Sequence, residues 1–208
     1  MSGTDGARRA HWEDVHRQRE EDEVSWFQAT PATSLALIAR TGAARAARIV
    51  DVGGGASRLV DALLDAGYEH VTVLDVAAAA LERAQRRLGA RAAAVSWDVA
   101  DATAWQPGGE YDVWHDRAAF HFLVRAEDRA ADRAVLLSAL PAGGHAIVAT
   151  FAPDGPERCS GLPVARYDAE ALAAELGPAF TLVESLREDH RTPGGKVQRF
   201  QWSRFVRR

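Results

Sequence analysis

Cysteine and lysine are almost missing from this chain of 208 residues. Cys159 is the only cysteine, so neither an intrachain disulfide nor a zinc site built from several cysteines can form. Lys196 is the only lysine, and no Gly-Lys-Ser/Thr triplet occurs, which excludes a P-loop for nucleotide phosphates. A Tyr-x-x-x-Lys pair is also absent, which excludes one common arrangement of dehydrogenase active sites.

Long apolar runs and a strong excess of one charge are missing as well. No apolar run is long enough to span a bilayer, and the first residues lack the apolar centre of a signal peptide. The net charge is -4 and the basic residues are dispersed, so no surface for a nucleic-acid backbone stands out. We therefore expect a cytoplasmic monomer or homodimer that binds neither nucleic acid nor membrane.

The chain contains instead a regular alternation of strand-like and helix-like segments. Apolar, β-branched runs such as ARIVDVG and HVTVLDV are each followed by an amphipathic stretch of helical period. This order predicts a three-layer α/β fold with a mostly parallel sheet and helices on both faces. Two strand candidates flank the RTPGG turn near the end, which predicts one antiparallel strand in a seven-stranded sheet. We predict one domain over residues 1–208, with 1–42 as a helical extension.

The stretch RIVDVGGGASRLVDAL places an aspartate before three glycines at the start of a predicted helix. A glycine loop after the first strand of an open α/β sheet is where a nucleotide-like ligand binds. The dinucleotide fingerprint fits poorly, because Arg58 stands where its third glycine belongs. Asp51 would repel a diphosphate but attract a cation. S-adenosylmethionine carries an ammonium and a sulfonium and no phosphate, so the acid favours this ligand.

Two further acids end the next two predicted strands. Asp75 follows the glycine loop by about 20 residues, the spacing at which a carboxylate accepts hydrogen bonds from ribose hydroxyls. Asp98 is placed to accept a hydrogen bond from an adenine amino group. We predict that both acids contact the cofactor together with their neighbours Val76 and Val99.

On these residues the chain resembles the class I S-adenosylmethionine-dependent methyltransferases. Their first motif is an acidic residue, any residue, and Gly-x-Gly-x-Gly, and here Ser57 replaces the last glycine of Asp51-Val52-Gly53-Gly54-Gly55-Ala56-Ser57. The resemblance implies a Rossmann-like methyltransferase fold from about Ile49 onward. It also implies S-adenosylmethionine as the cofactor, bound by Asp51, Gly53, Gly54, Gly55 and Ser57.

The polar N-terminal segment is similar to that of a smaller branch, the lysine methyltransferases of elongation factor 1A and of citrate synthase. His11-Trp12-Glu13 and Trp26-Phe27 correspond to aromatic stretches which, in that branch, pack near the cofactor. The resemblance implies a lid over the site and a cofactor contact for Trp26. Docking of these aromatic rings into the core is the structural alternative.

Candidate catalytic residues cluster in YDVWHDRAAFHF, directly after the fourth predicted strand. His121, with Asp116 and His115, is predicted to supply a general base where the acceptor starts protonated. Asp116 and Arg117 could instead form an ion pair or a helix cap, and His121 could be a core histidine. A metal site of His115, Asp116 and His121 is a further alternative, but the spacing matches no strong motif, so we predict no metal.

Residues after the fourth and fifth predicted strands are candidates for acceptor binding, because loops at this rim carry specificity. We predict acceptor contacts for Arg117, Phe151, Arg166 and Tyr167. Cys159 has no histidine near it in sequence and is predicted to be an inert thiol.

The predicted function is methyl transfer to an oxygen, nitrogen or sulfur nucleophile of a small molecule. A protein lysine is the alternative acceptor. A nicotinamide-dependent oxidoreductase and a non-catalytic cofactor-binding protein are alternatives of other classes.

Overall fold

The computed structural model describes residues 3–208, with the side chains described from residue 6 onward. Its strands are Arg48–Val52 (β1), His70–Asp75 (β2), Val95–Val99 (β3), Val113–Arg117 (β4), His145–Phe151 (β5), Arg158–Cys159 (β6), Leu162–Pro163 (β7), Phe180–Arg191 (β8) and Val197–Arg207 (β9). The α-helices are Gly3–Gln18 (α1), Ala32–Ala39 (α2), Leu59–Asp65 (α3), Ala78–Leu88 (α4), Ala126–Ala139 (α5) and Ala169–Leu176 (α6). Short 3-10 helices lie at Glu21–Glu23, Gly89–Ala94 and Phe120–Phe122.

Seven strands form one sheet in the order β3-β2-β1-β4-β5-β9-β8. The first five strands of this order pair in parallel, and β9 runs antiparallel to both β5 and β8. The prediction of a seven-stranded, mostly parallel sheet with one antiparallel strand is therefore confirmed. The order reverses between β1 and β4, and ligands bind at such a reversal, outside the carboxyl ends of the strands.

The sheet separates two apolar cores, and the alternation of side chains along β1 shows how. Ile49 packs in one core with residues of α2, α3 and α4, whereas Val50 and Val52 pack in the other with residues of α5 and α6. Because successive strand residues point to opposite faces, Asp51 lies on the face of Ile49. A carboxylate is thereby held at the end of a strand whose neighbouring residues are fully buried.

The C-terminal hairpin is the longest pairing in the sheet. Strands β8 and β9 pair from Phe180 to Arg207, with a register shift between Leu182 and Glu184. Phe200, Trp202 and Phe205 of β9 are fully buried. This hairpin covers the edge of β5, and it brings Phe200 opposite Phe151.

The N-terminal segment, predicted as a helical extension, contains two α-helices with a 3-10 helix between them. Helix α1 stops at Gln18, and Glu20 and Glu23 cap the 3-10 helix that follows it. Between residues 3 and 208 no helix combines the length and the apolar character that crossing a membrane requires.

Candidate active site

One cavity lies at the carboxyl ends of the central strands and collects most of the predicted site residues. Twelve of them line it: Trp26, Asp51, Gly53, Gly54, Gly55, Ser57, Asp75, Val76, His115, Asp116, Arg117 and Phe151. Five predicted residues are not part of its wall: Asp98, Val99, His121, Arg166 and Tyr167.

The glycine loop after β1 wraps directly over two carboxylates. Gly53 and Gly55 have φ angles of +65° and +41°, a backbone conformation that favours glycine. A Cβ atom on Gly54 would lie 2.5 Å from Oδ2 of Asp51, and one on Gly55 would lie 2.6 Å from Oδ2 of Asp75. The glycines therefore bring the backbone closer to the acids than any side chain would permit.

Ser57, the residue that departs from the methyltransferase motif, has a local structural function. Its amide donates to the carbonyl of Gly54 at 2.7 Å, and its Oγ accepts from the amide of Leu59 at 3.1 Å. The serine thus closes the loop and bonds an unpaired amide at the start of α3. Its position in the cavity wall agrees with the predicted cofactor contact, which stays a prediction.

The carboxylate of Asp51 is buried, and only one of its two oxygens has a hydrogen-bond partner among the described residues. Its Oδ1 lies 2.7 Å from Nδ1 of His115. Its Oδ2 is buried without a hydrogen-bond partner in the described part of the chain. A buried acceptor left unpaired is costly, so this oxygen marks a place where a ligand donor or cation binds favourably.

Asp75 ends β2 and is also buried. Its Oδ1 accepts from the amide of Ala77 at 2.8 Å. Burial raises the pKa of Asp75 to about 7, and the nearby negative charge of Asp51 contributes further to the rise. The carboxyl group therefore changes charge near neutral pH, which is unusual for an aspartate.

The third predicted acid, Asp98, faces away from the cavity. Its Oδ2 accepts from Nε1 of Trp105 at 2.9 Å, and the neighbouring Val99 is exposed without lining the cavity. Asp101 lies in the cavity wall instead, between Ala100 and Ala102. Asp98 and Asp101 both lie near the end of β3, and their order in the sequence did not show which of them lines the cavity.

His115 connects Asp51 to the N-terminal segment. Its Nδ1 bonds Asp51, and its Nε2 lies 3.0 Å from Oγ of Ser34 on α2. All three side chains are buried and all three line the cavity. An ionised carboxylate only accepts hydrogen bonds, so Nδ1 donates to an ionised Asp51, and in the neutral ring Nε2 then accepts from the serine hydroxyl.

Asp116 caps the turn after β4. Its carboxylate accepts from the amides of Ala119 and Phe120 at distances between 2.9 and 3.2 Å. Burial raises the pKa of Asp116 to about 6, although these two amides oppose the rise. The structure thus agrees with the capping alternative, while the residue still reaches the cavity wall.

His121 lies in the core and not in the cavity, which argues against the predicted base. Its ring is fully buried between Phe122 and Phe151, at centroid distances of 4.5 and 4.7 Å. Nδ1 accepts from the amide of Phe151 at 3.3 Å. Burial, assisted by the charge of Arg117, lowers the pKa of His121 to about 3. A general base works best with a pKa near the working pH, so this ring is poorly suited to the role.

The two residues predicted for acceptor binding after β7 also lie elsewhere. Arg166 is exposed and bonds the carbonyl of Gly155 and the carboxylate of Glu157. Tyr167 packs its ring against Phe120 at a centroid distance of 5.9 Å. The helix cap after them is Asp168, whose side chain accepts from the amide of Ala171, and the predicted acceptor contacts of Arg166 and Tyr167 stay predictions.

Charged side chains hold the N-terminal segment against the cavity. Arg8 bonds Asp101 and Asp128 at 2.8 and 2.9 Å. Glu13 accepts from the amide of Ala78 at 2.7 Å, and Glu21 pairs with Arg58 and Arg87, next to the glycine loop. These contacts fix the segment to the glycine-loop side of α3, to the turn after β3 and to α4 and α5.

Aromatic rings form the inner side of this segment. The ring of Trp12 meets those of Trp26 and Phe122 edge to face, at 5.7 and 5.0 Å. His16 lies beside Trp26, and burial together with the charge of Arg83 lowers the pKa of His16 to about 4. The core-docking alternative and the lid prediction are thus compatible, because the rings are packed and Trp12, His16 and Trp26 also line the cavity.

Sequence reasoning missed several residues of the cavity wall. Ser34, Gln198 and Phe200 come from α2 and from the C-terminal hairpin, and no local pattern marks them. Asp132 on α5 is buried with Oδ1 unpaired, and burial raises its pKa well above the ordinary value. Within the described residues no three histidine, cysteine or acidic side chains are grouped to hold a metal ion.

A sequence model of a family described as methyltransferase domain matches residues 49–144 of the chain. Among curated proteins, no sequence gives a significant match. The matched residues contain the glycine loop, Asp51, Asp75 and β4, so they cover the part of the cavity around Asp51.

Solved structures share the fold over nearly the whole chain. A methyltransferase from Anabaena variabilis superposes with a TM-score of 0.78 at 16% identity, covering 100% of this chain and 96% of its own. The N-methyltransferase NodS from Bradyrhizobium japonicum, in complex with S-adenosylhomocysteine, gives 0.71 at 18% identity over 95% and 98%. A Burkholderia thailandensis 1,6-didemethyltoxoflavin-N1-methyltransferase gives 0.71 at 20% identity over 100% and 91%.

These findings decide between the classes that the sequence left open. The matched domain is a methyltransferase domain and not an oxidoreductase, and the fold agrees with it. The specific branch of elongation factor and citrate synthase methyltransferases stays a prediction. Residues 49–144 are thus identified as a methyltransferase domain, and the chain has the fold of the class I S-adenosylmethionine-dependent methyltransferases.

Proposed function

We propose that this enzyme methylates an oxygen, nitrogen or sulfur atom of a small molecule that enters the cavity beside Arg117. The observation that carries the proposal is the unpaired buried Oδ2 of Asp51 at the glycine loop. A carboxylate at this place favours the ammonium group of the donor and disfavours a diphosphate.

The residues present fit S-adenosylmethionine. Asp51 would accept from its ammonium group, and Asp75 from its ribose hydroxyls, because both acids lie under a loop that only glycine can form. Asp101 and Ala102, which line the cavity, would contact the adenine in place of Asp98. When bound, this cofactor supplies the methyl group from its sulfonium.

The enclosure of the site supports a small acceptor. Trp26, Phe151 and Phe200 line the cavity, and the N-terminal segment covers it through the ion pairs of Arg8 and Glu21. The Burkholderia neighbour was solved with a small molecule, 1,6-didemethyltoxoflavin, and S-adenosylhomocysteine bound, which is consistent with this class of acceptor. A protein lysine remains the runner-up acceptor.

Among the three predicted catalytic residues, His115 is the one whose surroundings suit a base. It lines the cavity, Asp51 orients its ring, and the hydroxyl of Ser34 bonds its other nitrogen. Where an acceptor starts protonated, Ser34 can pass that proton to Nε2 of His115. Asp116 is occupied by two backbone amides, and His121 is outside the cavity wall.

The proposal is tested by incubating the enzyme with S-adenosylmethionine and pools of small molecules, and by measuring S-adenosylhomocysteine. We expect product with a small-molecule pool and none with Asp51→Asn. Asp98→Asn is the matched control and keeps its activity, because its partner is Trp105 outside the cavity. If product formed only with proteins, the acceptor would be a protein lysine and not a small molecule.

A further test concerns the base. Ser34→Ala should lower turnover of a protonated acceptor by about 100-fold and leave the affinity for S-adenosylhomocysteine within twofold. Wild-type turnover in Ser34→Ala would rule out the relay through Ser34 and His115.

A further inference from the structure

The guanidinium of Arg117 is buried with one edge unpaired. Its Nη1 donates to the carbonyl of Trp26 at 3.0 Å, and its Cζ lies 4.8 Å above the ring of Phe200. Nε and Nη2 are both buried, and neither has a hydrogen-bond partner among the described residues. These two nitrogens form the side of the guanidinium plane that binds a carboxylate with two parallel hydrogen bonds.

Among the described residues, no carboxylate bonds this edge. Glu188 and Asp51 are the acids whose charges act most on Arg117. Both oxygens of Glu188 are occupied, Oε1 by Gln28 and Thr33 and Oε2 by Nε1 of Trp202. Oδ1 of Asp51 bonds His115, and its Oδ2 lies under Gly54 of the glycine loop.

The arginine keeps its charge despite this environment. Burial lowers the pKa of Arg117 to about 10, so the group stays protonated at neutral pH. A buried cation without a bonded anion is unfavourable, and an anionic ligand removes that cost.

The side chain lies on the acceptor side of the cavity. The glycine loop, Asp75 and Asp101 lie on the β1, β2 and β3 side of β4. The groups around Arg117 lie on the other side or above it: Phe200 on β9, Glu188 on β8, Cys159 on β6 and the carbonyl of Trp26. A donor held by Asp101, Asp75 and Asp51, as proposed, would leave Arg117 beyond its methionine end.

From these observations we propose that Arg117 binds a carboxylate of the methyl acceptor, so that the acceptor is a small organic acid with an apolar body. Phe151 and Phe200 line the cavity near the guanidinium with apolar surface. Gln198 adds a buried, unpaired Oε1 that can accept from a hydroxyl or an amine of the same molecule. This inference rests on the proposed function, since it names the class of its acceptor.

Binding is measured by calorimetry on the full chain saturated with S-adenosylhomocysteine. The probes are benzoate and phenylacetate, each compared with its primary amide. We expect the acids to bind the wild type, and the amides about 10- to 100-fold more weakly because they lack the charge. Arg117→Gln should remove this preference, and Arg117→Lys should restore it only in part, because lysine lacks the bidentate edge.

Arg187→Gln is the matched control. Arg187 lies on β8, is exposed and pairs with Asp154 away from the cavity, so this variant should keep the full preference for acids. Melting curves establish that each variant is folded before it is titrated.

Two results would overturn the inference. One is an equal affinity of acids and amides for the wild type. The other is that Arg117→Gln lowers the affinity for S-adenosylhomocysteine more than 10-fold and leaves the affinity for 5′-methylthioadenosine unchanged. Since 5′-methylthioadenosine lacks the carboxylate, this result would show that the guanidinium holds the carboxylate of the donor. Failure of the proposed function looks different, since S-adenosylhomocysteine itself would then not bind the wild type.

Discussion

The two ends of the cavity are lined by different chemical groups. At the glycine loop, bare backbone lies over the carboxylates of Asp51 and Asp75, and the surroundings are negative. Beside β9, aromatic side chains and the guanidinium of Arg117 form the wall, and the surroundings are positive. The first end suits a cationic nucleoside and the second an apolar anion, so the charge of each end selects a different ligand.

The two ends also differ in how far apart their residues lie in the sequence. The glycine-loop end comes from residues 51–57 and the acids that follow β2 and β3. The opposite end joins Trp26, Arg117, Phe151 and Phe200, which meet only when the C-terminal hairpin pairs with β5. Substitutions at the end beside β9 can therefore change which acceptor binds without altering the donor site. The following predictions test whether the two ends are separable, from the largest effect to the smallest.

Asp51→Asn should have the largest effect on the donor. Removing one charge of a buried pair costs about 3 kcal/mol, which is more than 100-fold in the affinity for S-adenosylhomocysteine. Calorimetry measures it, with Asp98→Asn as the control that stays at wild-type affinity. Equal losses in the two variants would show that the cavity wall does not distinguish these acids.

Gly54→Ala should have the second-largest effect on donor binding. The added Cβ would lie 2.5 Å from Oδ2 of Asp51 and 2.8 Å from Cγ1 of Val73, so the loop must shift. We expect a loss of about 2 kcal/mol in S-adenosylhomocysteine binding by calorimetry, as for overpacking of a buried site.

The control for this change is Gly108→Ala, where a Cβ atom meets nothing within 4 Å. It should bind like the wild type. A Gly54→Ala enzyme with normal affinity would mean that the ligand does not approach the loop backbone.

Asp75 should make donor binding depend on pH. Ribose hydroxyls and a cationic ligand favour the ionised carboxylate. At a pH where Asp75 of the unliganded protein is protonated, donor binding therefore releases a proton. Because the pKa of Asp75 is raised to about 7, affinity should rise about tenfold from pH 6 to pH 8. Calorimetry in buffers of different ionisation enthalpy measures the proton release, which Asp75→Asn should abolish.

The same shift should appear in the stability of the unliganded protein. The carboxyl of Asp75 ionises first in the unfolded chain, so the free energy of unfolding should fall as the pH rises from about 4 to about 7. Asp75→Asn should make this fall shallower in urea denaturation. An identical slope in both proteins would contradict the raised pKa.

Arg166→Gln should have the smallest effect of the series. The side chain is exposed and lies outside the cavity wall, so donor affinity and stability should change by less than about 0.5 kcal/mol. A larger loss of acceptor binding would show that the loop before α6 closes over the site.

The fold and the glycine-loop end were predictable because their signals are local. Strand and helix periods follow from neighbouring residues, and Asp51, Gly53 and Asp75 stand at fixed distances from strand ends. Asp98 shows the limit of such reasoning, because the backbone turn after β3, and not sequence spacing, brings Asp101 to the cavity.

The other end was predicted only in part: Arg117, Phe151 and Trp26 were named from the sequence, but the geometry that joins them arises from long-range pairing. Arg117 ends β4 and His121 follows four residues later, yet the ring of His121 is buried in the core whereas Arg117 lines the cavity. Ser34 reaches His115 only because α2 packs on that face of the sheet. No local pattern around Ser34 or in residues 198–202 marks these contacts.

A crystal structure with S-adenosylhomocysteine tests the central claim most directly. We expect the ribose hydroxyls on Asp75, the ammonium on Oδ2 of Asp51, and open space between the sulfur and Arg117. A nucleoside lying between Phe200 and Arg117, with the glycine loop untouched, would contradict the account.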